Sequence, residues 1–505
     1  MTRRTSAGAL ALLLALASCQ PAPLTMPSGA PSSLGPAPTA AVGTAAPGAN
    51  GALADALRDA ISADDILADL GRLDAIASAN GGNRATGSAG HDQSVDLVAD
   101  ELRAAGYDVR LDPAPLTAFR QDAPSVLEIQ APGAAALADI RDFKAMLLSP
   151  SGDVTAQLFA LGFDPAAQPG ARNGIGCDPA EWSSVPAGVV ALVQPGGCRR
   201  RDVILNAQAA GVVGLITSYA EWTPDHVLRP TLIDPEGLSI PAVGVTGSAG
   251  LALLAAAQEG AKVHLAVLTT VESTQSPNVI ADLPGGDPAH VVMIGGHLDS
   301  VIDGPGINDN GSGTMTILEI ARELAKLRPD GAAWHVRVAF WTGEEIGLLG
   351  SFAYVGGLSA EDASTIEAYL NFDMVGSANG VREIYDSVAS SRPIAGKVIE
   401  GLLAQALNGA GLASVVVDIG GASDHLPFDQ IGVPMGGLFS GANEVKSEEQ
   451  AGLFGGTAGL PADACYHLAC DTAANIDREL LEQLARAAAW TLGRFADGEI
   501  TLPEG

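Results

Sequence analysis

Three apolar segments in this chain are each followed at once by groups that can hold a cation or move a proton. Val291 to Gly295 runs into Gly296-His297-Leu298-Asp299-Ser300, and a glycine-rich turn then carries Asp309. Val336 to Trp341 runs into Thr342-Gly343-Glu344-Glu345, and Ala368 to Phe372 into Asp373. Asp309 follows His297 by 12 residues, Glu344 follows Asp309 by 35, and Asp373 follows Glu345 by 28. Singly, each has an ordinary reading: a hydrogen-bonded histidine, a carboxylate in a helix first turn, a cap. Together they call for more. Carboxylates gathered in a partly buried cleft repel by on the order of several kcal/mol per close pair unless cations intervene. Oxygen and imidazole donors without thiolate suit zinc, and less well manganese or cobalt.

The residue types also suggest a division of labour. Neighbouring Glu344 and Glu345 cannot easily both ligate one ion. One can bind metal while the other takes a proton from metal-activated water. Asp299, two residues after His297, is expected to accept the other imidazole N–H and fix its tautomer. Asp309, on a tight turn, has two oxygens that can bridge two ions.

These groups converge only if the segments before them are strands of one sheet. Ligands bind beyond the carboxyl ends of such strands. Apolar runs at 291–295, 336–341, 368–372 and 432–439 alternate with helical patterns at 312–327 and near Leu481, Leu484, Ala488 and Leu492. Residues 53–106 read mainly as helix, and Tyr107 to Leu111 alternates like a strand. The pattern predicts an α/β fold: a three-layer sandwich, its mostly parallel central sheet covered by helices on both faces. Residues 145–272 have a different texture, with short apolar runs punctuated by Gly and Pro. They read as an inserted β-rich domain with a helix near 201–210. The expected division is peptide 1–19, tether 20–52, a core in two parts (53–144 and 273–505), and the insert between them.

The whole composition agrees. Of 505 residues, 47% are hydrophobic and 17% charged, so the chain can bury large cores. Its formal net charge of −31 argues against nucleic acid and anionic lipid as partners. Arg3 and Arg4, an apolar run, and Leu16-Ala17-Ser18-Cys19 read as an export signal ending in a lipobox. Cys19 is then a lipid anchor and the only membrane contact. The expected location is the bacterial cell envelope, on the periplasmic side or the cell surface, and otherwise the medium. Four further cysteines group as Cys177–Cys198 and Cys465–Cys470, two local disulfides suited to an oxidising compartment.

The motifs around His297, Asn308 to Gly313, Thr342 to Ser351, and Asn371 to Met374 resemble those of the secreted co-catalytic dizinc aminopeptidases of bacteria and their relatives, including aminopeptidase Y. The resemblance runs from about Leu67 to the last helix. It implies two Zn2+ ions per chain. It places His297 and Asp373 on one ion, Glu345 and His467 on the other, and Asp309 between them. His467, in Cys465-Tyr466-His467-Leu468-Ala469-Cys470-Asp471, lies 94 residues beyond Asp373 and enters only through the resemblance. Glu344 matches the general base. Tyr466 matches a residue that steadies the oxyanion in some members, or it packs beside the disulfide. Residues 145–272 resemble a protease-associated domain, and Ser423 to Phe428 a loop near the substrate side chain. The implied activity is removal of N-terminal residues from peptides with a free amine, through a metal-bridging hydroxide. Two other readings stand beside it: a surface-anchored peptide-binding protein with an inactive core, and a related dizinc carboxypeptidase or dipeptidase.

Overall fold

The computed structural model describes residues 51–503, apart from 131–132, 165–174, 195, 220–226 and 228. The signal, Cys19 and nearly all of the tether lie outside the described residues.

Three helices come first: α1 (Ala52–Ala60), α2 (Ala63–Ala79) and α3 (Ala89–Ala104). Ser62 and Ser88 cap the second and third, their hydroxyls accepting Asp65 N–H and His91 N–H. The chain then leaves on β1 (Asp108–Gln121) and passes through β2 (Val126–Ile129), β3 (Ala135–Leu137), β4 (Phe143–Ala145), β5 (Gly152–Leu161) and β6 (Val190–Val193). Helix α4 (Arg200–Ala209), β7 (Gly214–Tyr219), β8 (Ala242–Thr246), α5 (Gly247–Gln258) and β9 (Lys262–Val267) follow. It returns on β10 (Thr269–Asp282), which pairs antiparallel with β1 over their full 14 residues. Everything between these two paired strands is therefore an excursion from one sheet edge.

Beyond β10 come β11 (Asp287–His297), α6 (Gly313–Leu327), β12 (Trp334–Trp341), α7 (Leu349–Gly357), α8 (Ala360–Thr365) and β13 (Ile366–Phe372). Then follow β14 (Glu383–Tyr385), α9 (Pro393–Gly409), β15 (Val415–Val417), α10 (His425–Gln430), β16 (Met435–Phe439), α11 (Glu448–Phe454) and α12 (Arg478–Ala496).

Among the described residues these strands form two eight-stranded sheets. The first has the order β1-β10-β12-β11-β13-β16-β14-β15. Its centre, β12-β11-β13-β16, is parallel, as the buried apolar runs predict. The flanking pairs β1·β10, β10·β12 and β14·β16 are antiparallel, while the outermost pair on the other side, β14·β15, is parallel, so the sheet is mixed around a parallel centre. Side chains alternate between two cores. Val292, Ile294, Val336, Val338 and Phe340 face one, with α6, α9 and α12 residues. Val291, Met293, Ala339 and Trp341 face the other, with Tyr354 and Phe428.

The second sheet has the order β3-β2-β9-β5-β6-β7-β8-β4. On β6, Ala191 and Val193 join a core that includes Val203 and Ile204 of α4, while Val190 and Leu192 join one that includes Leu253 of α5. This sheet takes strands from residue 126 onward, so an insert beginning at residue 145 would leave out β2, β3 and β4. Those strands are three or four residues long, too short to show an alternating pattern.

Candidate metal centre

Strand register brings the predicted groups level. His297 is the last residue of β11 and pairs with Trp341 of β12, while Gly295 pairs with Asn371 of β13. Two residues on, Asp373 stands beside His297, and the Thr342 to Glu345 turn opens from the other side.

Three overlapping groups of ligand atoms result, each within 4.8 Å: His297 with Asp309 and Asp373, Asp309 with Glu345 and His467, and His297 with Glu344 and Glu345. His297 Nε2 lies 3.3 Å from Asp309 Oδ1 and 3.2 Å from Asp373 Oδ1. His467 Nε2 lies 3.0 Å from Asp309 Oδ2 and 3.2 Å from Glu345 Oε2. Each oxygen of Asp309 thus faces a different imidazole. Glu344 Oε2 stands 3.9 Å from His297 Nε2.

The backbone that holds these groups is tightly specified. Gly306 opens the Asp309 turn at φ +64°, and an added Cβ would come within 2.4 Å of Ser300 Cβ and of the Asp309 carbonyl. The Asp471 carboxylate accepts the N–H groups of Asn308 (2.8 Å) and Asp309 (3.1 Å). Asn310 donates to the Phe372 carbonyl and accepts from Met374 N–H, tying the turn to the end of β13. Met374 and His467 have φ of +54° and +58°, costly for residues with a Cβ. The Cys465–Cys470 bridge closes the loop around His467, and the Tyr466 ring stacks on the His467 ring at 3.8 Å. The Cys177–Cys198 bridge is present as well.

The Asp299 carboxylate is not the imidazole's acceptor, contrary to the sequence reading. His297 Nδ1 reaches the Asp299 main-chain carbonyl at 3.1 Å, while the carboxylate Oδ1 is 3.7 Å away. Only two residues along, the backbone carbonyl lies nearer than the side chain. Oδ1 instead accepts Glu344 N–H at 3.2 Å, so Asp299 orients Glu344.

Sequence reasoning passed over Arg84, and it placed Ser423 and Asp424 only in a loop near the substrate side chain. Arg84, fully buried, donates to the carbonyls of Leu298, Pro305 and Gly306. Ser423 Oγ donates to Asp373 Oδ2 at 2.7 Å. Buried Asp424 accepts from Ser351 at 2.5 Å. Asp471 stands next to Cys470 inside a quoted motif and was legible there; Arg84 carries no sequence signal.

Electrostatics describe a cluster in need of positive charge. Burial pushes the Glu344 and Glu345 carboxyls up. Burial disfavours charge on His297 and His467 too, yet the facing carboxylates win and raise both imidazoles well above the usual range. Asp309 is held below the carboxylate range, against burial, by hydrogen bonds from both imidazoles. Divalent cations would replace those imidazole protons. The donors fit such ions. A carbonyl accepts only from a protonated Nδ1, so neutral His297 keeps its Nε2 lone pair toward Asp309 and Asp373. Glu345 Oε1 is buried with no hydrogen-bond partner, and no thiolate takes part.

An α/β sheet bearing such donors at its strand ends is the frame of a metal-dependent hydrolase, and comparison with known proteins narrows this. Residues 278–492 match the model of peptidase family M28, and residues 154–253 that of the PA domain. An aminopeptidase of Pseudomonas aeruginosa is 38% identical over 443 residues, covering 85% of this chain and 80% of that protein. The "Probable lipoprotein aminopeptidase LpqL" of Mycobacterium tuberculosis is 36% identical over 451 residues (87% and 86%). BSAP, a zinc aminopeptidase from Bacillus subtilis, shares the fold, with a TM-score of 0.65 and 23% identity across 87% of this chain and 96% of that one. The chain belongs to peptidase family M28 and carries an inserted PA domain.

Proposed function

We propose that this M28 chain is a zinc-dependent aminopeptidase, hydrolysing N-terminal residues from peptides with two Zn2+ ions and with Glu344 as general base. It is a hydrolase of the metallo-exopeptidase class. The observation that carries the reading is the placement of Asp309, one carboxylate facing His297 through Oδ1 and His467 through Oδ2. Its relatives bear aminopeptidase names, and BSAP is named as a zinc enzyme.

In this scheme His297 and Asp373 would hold one ion and Glu345 and His467 the other, with an oxygen of Asp309 available to each. Bound zinc supplies a Lewis acid that makes water acidic near neutral pH and polarises a carbonyl. Glu344, its N–H pinned by Asp299, takes a proton from the attacking water and delivers it to the leaving nitrogen. Tyr466, stacked on His467, would offer its phenol O–H to the developing oxyanion. Complete donor groups and an intact Glu344 speak against an inactive, binding-only core.

The peptidase half is a three-layer sandwich in this reading, supported by cores on both faces of its sheet. It is split at Gln121 and Thr269 around the insert. The protein is exported and held through lipid on Cys19, which the name of the mycobacterial relative supports. Among the described residues no helix is long and apolar enough to cross a membrane.

The test is release of p-nitroaniline from aminoacyl anilides. Activity is expected on free-amine substrates, absent on their N-acetyl forms, lost to a chelator and restored by zinc. Equal cleavage of acetylated substrates, or indifference to the chelator, overturns the proposal.

A further inference from the structure

The insert and the metal-ligand turn meet at a buried ion cluster that the mechanism above does not use. Asp303 lies midway between His297 and Asp309, six residues from each. Arg229 grips its carboxylate as a fork, Nε to Oδ2 at 3.0 Å and Nη2 to Oδ1 at 2.9 Å. Lys144 Nζ lies 3.2 Å from Oδ2. The side chains of Lys144, Arg229 and Asp303 are only 2%, 5% and 7% exposed. Arg229 also donates to the Ala145 carbonyl at 2.7 Å. Lys144 sits on β4 of the second sheet, and Arg229 adjoins the segment whose Thr231 bridges Leu147. Both cations therefore come from the insert and the anion from the peptidase half.

The same turn is also gripped by Arg84, through the carbonyls of Leu298, Pro305 and Gly306. Ile302, next to Asp303, packs into a core of the insert. Gly304 presses on the loop of His467: an added Cβ would come 2.3 Å from the Leu468 carbonyl. A shift of this turn thus reaches His297, Asp309 and the His467 loop together. Stability alone is a poor reason for such a cluster, because well-packed apolar groups usually do as well as buried ion pairs or better. A forked, fully desolvated pair does fix geometry.

We propose that Asp303 is a positioning residue, through which Arg229 and Lys144 of the PA insert set the metal-ligand turn and hence both zinc sites. The insert is then part of the machinery that shapes the metal centre. The inference rests on the two-zinc reading.

The experiment uses full-length protein stripped of metal. Zinc alone is titrated calorimetrically, and kcat and KM are measured on an aminoacyl anilide. D303N and R229M are expected to weaken zinc binding by roughly ten-fold or more and to lower kcat, with KM changed far less. R229K, which keeps the charge and loses the fork, is expected between them and the parent, and it decides the matter if D303N does not fold. V203A, in the insert's own core, is expected to lower the melting temperature and leave zinc affinity alone. Parental zinc affinity and kcat in R229M and R229K, with only the melting temperature lowered, overturn the inference. A parent protein that takes up no zinc overturns the two-zinc reading itself, and the inference with it.

Discussion

In the proposed mechanism the adjacent glutamates at one strand end take opposite tasks, and their distances from the two imidazoles differ accordingly. Glu345 Oε2 sits 3.2 Å from His467, within reach of a shared ion, whereas Glu344 Oε2 stands off at 3.9 Å from His297. Glutamine at 344 keeps the side-chain volume and the N–H bond to Asp299 but cannot take a proton. E344Q is therefore expected to retain two zinc ions by elemental analysis while turnover falls by roughly 10²-fold or more. Near-parental turnover would remove Glu344 from the base role. Much of this was legible at the residue scale, because His297, Asp309, Glu344 and Asp373 each sit directly beyond an apolar run or on a glycine-rich turn. His467 was not. It hangs on a disulfide-closed loop, with left-handed φ and no strand before it, so neither period nor spacing points to it.

Elements were legible in proportion to their regularity. The central strands and the helices α6 and α12 are long, buried and periodic, and they fall where the sequence pattern sets them. The edges were not. Strands β2, β3, β14 and β15 are short, and their pairing is decided by distant partners. Two loops closed by disulfides make a contrast that can be tested at this scale. By loop-closure entropy, Cys177–Cys198, with a separation of 21, constrains the unfolded chain by about 3 kcal/mol, and Cys465–Cys470, with a separation of 5, by about 2 kcal/mol. The short bridge nevertheless flanks a metal-ligand candidate held at an unfavourable φ. C465S/C470S is expected to cost modest melting temperature but to lower bound zinc from two ions toward one, with Glu345 and His467 losing theirs. C177S/C198S is expected to lower the melting temperature more and to leave the zinc count intact. Elemental analysis beside thermal melts distinguishes the two, and an unchanged zinc count in the first variant would mean that Asp471 and the surrounding packing hold His467 without the bridge.

Across the whole molecule, the two sheets share contacts that independent modules would not need. The β1·β10 ribbon carries the chain out and back over its full length, and Phe119, Val271, Ile302 and Ile346 of the peptidase half pack with a core of the insert. The described residues cluster as one compact unit. Within that unit Asp309, Glu344, Glu345 and Asp373 gather as buried and part-buried carboxylates in a chain whose net charge is −31. In the two-zinc reading the ions bind only the folded arrangement, so at a hundred times the dissociation constant each independent ion is expected to add about 2.7 kcal/mol to stability. Because Asp303 and the ribbon join the insert to the metal-ligand turn, that gain is felt by both sheets. Differential scanning calorimetry of chelator-treated protein is therefore expected to show one endotherm, which moves upward as a whole when zinc is restored. Two endotherms, of which only one responds to zinc, would mean that the insert unfolds on its own account and that the buried contacts at its base carry little coupling.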